Sequence, residues 1–178
     1  LTACGAAGFC VSGVCYANPF ISEYVEGSSN NKAVELFNPG STAIVANTCS
    51  LKIYNNGHTQ PNNSVALTQE IPAGGVLVVC HSSYNADSRD ADCDITTGSL
   101  NHNGDDAIGL ACDDGSGATL VDVFGQIGYD PGTEWSVNGI NTRNETLRRK
   151  CDVTAGDLDG SNSFDPSTEF DAFGADAF

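Results

Sequence analysis

Short apolar runs separated by turn-forming residues recur along most of the chain. They are Phe20 to Val25, Ala33 to Phe37, Leu51 to Tyr54, Val76 to Cys80, Ile108 to Cys112 and Leu120 to Phe124, rich in β-branched and aromatic residues. Runs of that length and make-up predict strands. Between them stand Asn38-Pro39-Gly40, Asn55-Asn56-Gly57, Pro72-Ala73-Gly74-Gly75, Asn103-Gly104, Asp113-Asp114-Gly115 and Pro131-Gly132. These residues accept positive φ or preset it, and their spacing suits the short strands of a sandwich or barrel. No stretch carries a convincing helical period, and nothing repeats. The pattern therefore predicts an all-β protein.

Composition sets how such a fold is held. Leu, Ile, Val and Phe together number 39 of 178 residues, so the core is thin. The eight cysteines are the natural reinforcement. Cys4, Cys10, Cys15, Cys49, Cys80, Cys93, Cys112 and Cys151 are even in number, spread over the chain and free of the Cys-x2-Cys spacing of zinc sites. They are expected as disulfides, which implies an oxidising compartment and a secreted, extracellular or cell-surface location. Cys80 with Cys93 closes the shortest loop outside the N-terminal cluster. One of Cys4, Cys10 and Cys15 must find a distant partner if all eight pair, because three is odd.

The formal net charge of −16 disfavours nucleic acid and anionic lipid as partners and favours cations. The longest apolar run, Val76 to Cys80, is far too short to span a bilayer, so no membrane span is predicted. Opening on Leu1 and lacking Met, the chain reads as a processed secretory product or a piece of something longer. Composition shifts after Lys150, where seven acids and no base follow. Phe164, Phe170, Phe173 and Phe178 punctuate that tail and suggest that it docks on the sheet.

Phe20-Ile21-Ser22-Glu23-Tyr24-Val25-Glu26-Gly27-Ser28-Ser29-Asn30-Asn31-Lys32-Ala33-Val34-Glu35-Leu36-Phe37-Asn38-Pro39 resembles the opening strands of the lamin tail domain as bacteria carry it. The resemblance continues through Leu51 to Gly57, Ile71-Pro72-Ala73-Gly74, Asn103-Gly104-Asp105-Asp106-Ala107-Ile108, Val121-Asp122-Val123-Phe124-Gly125 and Thr146-Leu147-Arg148-Arg149-Lys150. It implies an immunoglobulin-like β-sandwich over 20–150, with no chemistry of its own. Bacterial members of the family are commonly secreted or surface proteins, often attached to extracellular nucleases. The resulting organisation is a cysteine-containing N-terminal arm, 1–19, then the sandwich, 20–150, then an acidic segment, 151–178, packing on it. The arm lies outside the resemblance.

Candidate chemistry is sparse. Glu23 and Glu35 sit on strands and are expected to face solvent or pair with Lys32 or an Arg rather than act as an acid–base pair. Asp105 and Asp106 follow a turn and are expected to cap backbone N–H groups. His58, His81 and His102 lack metal spacing and read as surface residues, and Trp135 reads as a packed indole. Arg143, Arg148, Arg149 and Lys150 form the basic cluster and are expected in structural salt bridges. The metal candidate is a calcium loop: Asp157 and Asp159 place oxygens at alternate positions beside Gly160, without the helices or closing Glu of an EF-hand. No other cofactor is expected.

Three functions compete on this reading. The first is a non-catalytic structural or binding module of a secreted or cell-surface bacterial protein, with the leading position ahead of an extracellular nuclease as one setting. Next comes a self-associating extracellular subunit that uses its arm to form a filament or surface assembly. A hydrolase in its own right is third.

Overall fold

The computed structural model describes residues 8–84 and 93–177. The arm is β1 (Gly8–Val11) and β2 (Val14–Ala17). The sandwich strands are β3 (Phe20–Glu26), β4 (Lys32–Phe37), β5 (Cys49–Tyr54), β6 (Asn63–Ala66), β7 (Val76–His81), β8 (Ile95–Thr97), β9 (Ala107–Asp113) and β10 (Ala118–Phe124). There follow β11 (Ser136–Val137), β12 (Ile140–Asn141), β13 (Glu145–Arg149), the one-turn helix α1 (Pro166–Glu169) and β14 (Phe170–Gly174).

Two sheets make the layers. The larger has the order β14-β13-β3-β4-β7-β8, and the smaller has β10-β9-β5-β6. All pairs are antiparallel except β7 with β8. Ile21, Tyr24, Val34, Leu36, Leu77 and Val79 from the larger sheet meet Leu51, Ile53, Ile108, Leu110 and Val121 from the smaller in one buried cluster. Tyr24 stacks on Phe124 at 4.0 Å between ring centroids, at the centre of that core. This is the all-β fold that the strand pattern predicts, in the immunoglobulin-like sandwich that the family resemblance implies.

The arm folds because its sequence writes a tight hairpin. Ser12 (φ 49°) and Gly13 (φ 85°) bridge Val11 and Val14 with positive φ at both central positions, the turn whose twist matches antiparallel strands. Phe9 and Tyr16 face each other at 5.2 Å and join the core cluster of the sandwich. The hairpin therefore contributes apolar surface to its own domain.

Three disulfides staple the described residues. Cys10–Cys15 closes the arm hairpin, Cys49–Cys112 joins facing positions of β5 and β9, and Cys80–Cys93 closes the short loop expected of it. Cys151 carries an exposed thiol, and Cys4 lies outside the described residues. Such bonds persist in oxidising, extracellular surroundings. None of the described helices is long and apolar enough to cross a membrane.

The acidic tail enters the larger sheet. Beginning at Asp165, whose side chain accepts from Ser167 N to cap α1, the chain turns into β14 and pairs Phe170 with Arg149 and Gly174 with Glu145. Phe170 is buried and Phe164 packs on Phe124 and Trp135, whereas Phe173 is 39% exposed beneath the Arg148 guanidinium. Phe178 lies outside the described residues.

Candidate functional site

The buried charged groups among the described residues gather in two places, and in each the folded chain supplies their partners. The first lies where β3 and β10 meet the tail. Asp122 belongs to an apolar strand that alternation alone would leave half exposed, yet Val121, Asp122, Val123 and Phe124 are all buried. A register shift between Leu120 and Asp122 turns the carboxylate inward. Asp122 Oδ2 accepts from Ile21 N at 2.7 Å and from an Arg149 Nη at 2.8 Å, while Oδ1 accepts from Val123 N at 2.9 Å and Asp157 N at 2.8 Å. Four donors thus converge on one carboxylate. Burial pushes its pKa up to about 6, against the pull of Arg149 and the backbone N–H groups. Arg149 also donates to Ile21 O and Glu169 and lies against the Phe170 ring, so the network ties β3, β10, β13 and the tail together.

The second place is the end of the sandwich where Glu26, Asn103, Asp105, Arg143 and Asn144 line a polar cavity of about 350 Å³. Glu26 is buried and takes Lys32 Nζ at 2.6 Å on one oxygen and Asn144 N at 2.5 Å on the other. Asp106 accepts from Asn55 Nδ2 at 2.8 Å and Asn56 N at 2.9 Å, pinning the turn after β5. With its amide nitrogen turned toward them, Asn103 donates to Asp105 and to Asp106. Burial, and then the neighbouring Asp106, raise the Asp105 carboxyl above its ordinary range. Gly104 (φ +106°) sits against Arg143 so closely that an added Cβ would fall 2.7 Å from its Cβ.

The remaining candidates are dispersed. Glu23 pairs with Arg148 at 3.1 Å, and burial raises its carboxyl; Glu35 accepts from Ser22 Oγ at 2.7 Å. Lys32 is taken by Glu26 rather than by either of these. Trp135 is buried edge-on against Phe164. Asp157 Oδ1 accepts from Asp159 N, and Asp159 Oδ1 accepts from Ser161 N and Oγ. Each carboxylate thus serves its own turn, and the Ser161 donors hold Asp159 below the usual carboxylate range. Among the described residues no three His, Cys, Asp or Glu side chains converge as a metal ion would need.

One histidine corrects the reading of all three as surface residues. His102 is fully buried, its ring 4.8 Å from Tyr24 and one nitrogen 2.8 Å from Val25 O. Its polar neighbours Asn101 and Asn103 are exposed, but the chain between them dips under β3. Asp122 was also hidden from sequence reasoning. Its only signal is a lone acid inside an apolar run, which a bulge, invisible in the sequence, converts into a core residue.

No curated protein shows significant sequence similarity to the chain. The profile of the Lamin Tail Domain, by contrast, matches residues 16–128, which take in β3 to β10 and end just past the buried Asp122 and Phe124. With more than half its length matched and the immunoglobulin-like sandwich in place, the chain belongs to the lamin tail domain family.

Proposed function

We propose that the chain is a non-catalytic structural or binding module of a secreted or cell-surface protein, with the leading position ahead of a bacterial extracellular nuclease as its specific setting. One observation carries the reading: the buried acids among the described residues, Glu26, Asp105, Asp106 and Asp122, are each engaged by donors of the folded chain itself. General acid–base chemistry needs a carboxylate that faces substrate. Family membership and the disulfides support the same reading. The test is incubation of the purified chain with supercoiled plasmid and with RNA in magnesium or calcium. Intact substrate is expected. Cleavage that co-elutes with the chain and disappears in Asp105→Asn or Asp106→Asn would overturn the proposal.

Self-association is the second reading, favoured by Val14 on the arm and Val76 on β7, 46% and 41% exposed, and by outer strands β6 and β8. The charge of −16 opposes it, so salt or calcium would strengthen it by screening. Sedimentation across salt and calcium concentrations separates the two. A single monomeric boundary throughout is expected of the simple module, and a species growing with salt is expected of the subunit.

A further inference from the structure

The polar cavity at the end of the sandwich stays open in the folded chain. At about 350 Å³ it falls in the size class of small-ligand sites. Its lining consists of Asn, Asp, Glu, Arg, Ser, Thr and Gly, without one apolar side chain. The walls are held by the rest of the molecule. On one side the turn after β3 closes through Gly27 N to Asn31 O at 2.8 Å, and Asp176 of the tail accepts from Ser28 N at 2.8 Å and Ser28 Oγ at 2.7 Å. On the other, Gly104 packs against the Arg143 stem and Glu26 accepts from Asn144 N. A site held this way needs little ordering when a ligand enters.

Glu26 is spent on Lys32 and Asn144 N, but other lining groups are available. Among the described residues Arg143 takes no ion-pair partner, whereas Arg148 pairs with Glu23 and Arg149 with Asp122. Nor do the exposed side chains of Ser29, Thr133 and Asn144 hydrogen-bond to any described residue. A carboxylate offers about four lone-pair sites, and at Asp105 the Asn103 amide takes one. This lining selects by charge. An anionic ligand would meet Asp105 with Asp106 beside it, and a cationic one would meet the Arg143 guanidinium. An aliphatic or aromatic ligand would find no apolar wall. A neutral ligand with hydroxyls around its whole perimeter meets none of these costs, and its bonds to a carboxylate and a guanidinium are of the stronger, charge-assisted kind.

We propose that this cavity binds one residue of a neutral saccharide, whose hydroxyls donate to Asp105 and accept from Arg143 while Ser29, Thr133 and Asn144 complete the ring of partners. The inference rests on the binding-module reading above and gives that module its ligand class. Each bond replaces one to water, so a single sugar residue binds weakly, with a Kd of about 1 mM.

Saturation-transfer NMR and amide shifts of the full chain test this. The neutral probes are glucose, galactose, mannose and N-acetylglucosamine, each as its methyl glycoside, which presents one residue, and as a disaccharide, which presents a chain end. Glucuronic acid and a blocked lysine are the charged probes. At least one neutral probe is expected to be saturated at about 10 mM, with shifts gathered at Ser29, Asp105, Thr133, Arg143 and Asn144. Arg143→Met and Thr133→Ala, both at exposed positions, are expected to weaken that binding about tenfold while keeping the urea midpoint of the wild type. Absence of saturation from every neutral probe would overturn the inference. So would shifts that lie away from the cavity, binding that neither variant weakens, or a charged probe that binds the cavity more tightly than all the neutral ones. In each of those cases intact plasmid leaves the non-catalytic module standing, whereas plasmid cleavage by the chain overturns that reading whatever the sugars do.

Discussion

Replacing Asp122 with Ala is expected to destabilise the folded chain by about 3–5 kcal/mol, read as a lowered urea midpoint. The cost arises from what is left behind. Arg149, with only 2% of its side chain exposed, loses its buried counter-charge, and the N–H groups of Ile21 and Asp157 lose their acceptor. A buried charge without its partner is far more costly than the pair was favourable. The double variant Asp122→Leu/Arg149→Met is therefore expected to be more stable than Asp122→Ala alone, since it removes both charges and keeps apolar volume. Glu169, the other partner of Arg149, is 34% exposed and returns to water at little cost.

Acid sensitivity is the second large effect, and His102 dominates it. Burial lowers its pKa to about 3, from the ordinary 6.5. Below pH 6.5 the unfolded chain takes up a proton at this ring while the folded chain does not, so stability is lost as pH falls through the window from 6.5 to 3. Asp122 acts in the opposite direction: with a folded pKa of about 6 against 3.8, it takes up its proton first in the folded chain, and adds stability as pH falls from 6 to 3.8. The wild-type profile is thus flattened between those values. Comparison with His102→Gln, whose amide can still donate to Val25 O, isolates the ring. The stability of wild type relative to that variant is expected to fall by roughly 3 kcal/mol between pH 7 and pH 4 in chemical unfolding. A difference that stays constant across that range would show that the ring is not kept neutral by its burial.

The sandwich was legible in the sequence because its strands are short, apolar and punctuated by residues that tolerate positive φ. Leu51 to Tyr54 and Ile108 to Cys112 read as strands and lie within β5 and β9. The Cys80–Cys93 bond is the one pairing that a short loop suggested among the many the eight cysteines allow. Features that depend on one-residue offsets were not legible. The shift between Leu120 and Asp122 changes which face an acid occupies, and alternation gives no warning of it. The dip that buries His102 is hidden by its exposed neighbours in the same way. Arg149 shows the intermediate case. Its place in a basic cluster predicts a salt bridge, and its position beside buried Leu147 on β13 suggests which face it takes, but its partner Asp122 is 27 residues away and only the fold brings them together.

That this is a scaffold held by covalent staples for an oxidising setting is tested most directly by urea unfolding of the chain before and after reduction of its disulfides. The Cys49–Cys112 bond alone, at a sequence separation of 63, is worth about 4 kcal/mol by loop closure, a large share of a small domain's stability. The expected result is that reduction abolishes the cooperative transition or moves it to low urea. A reduced chain whose midpoint lies within about 10% of the oxidised one would contradict the account.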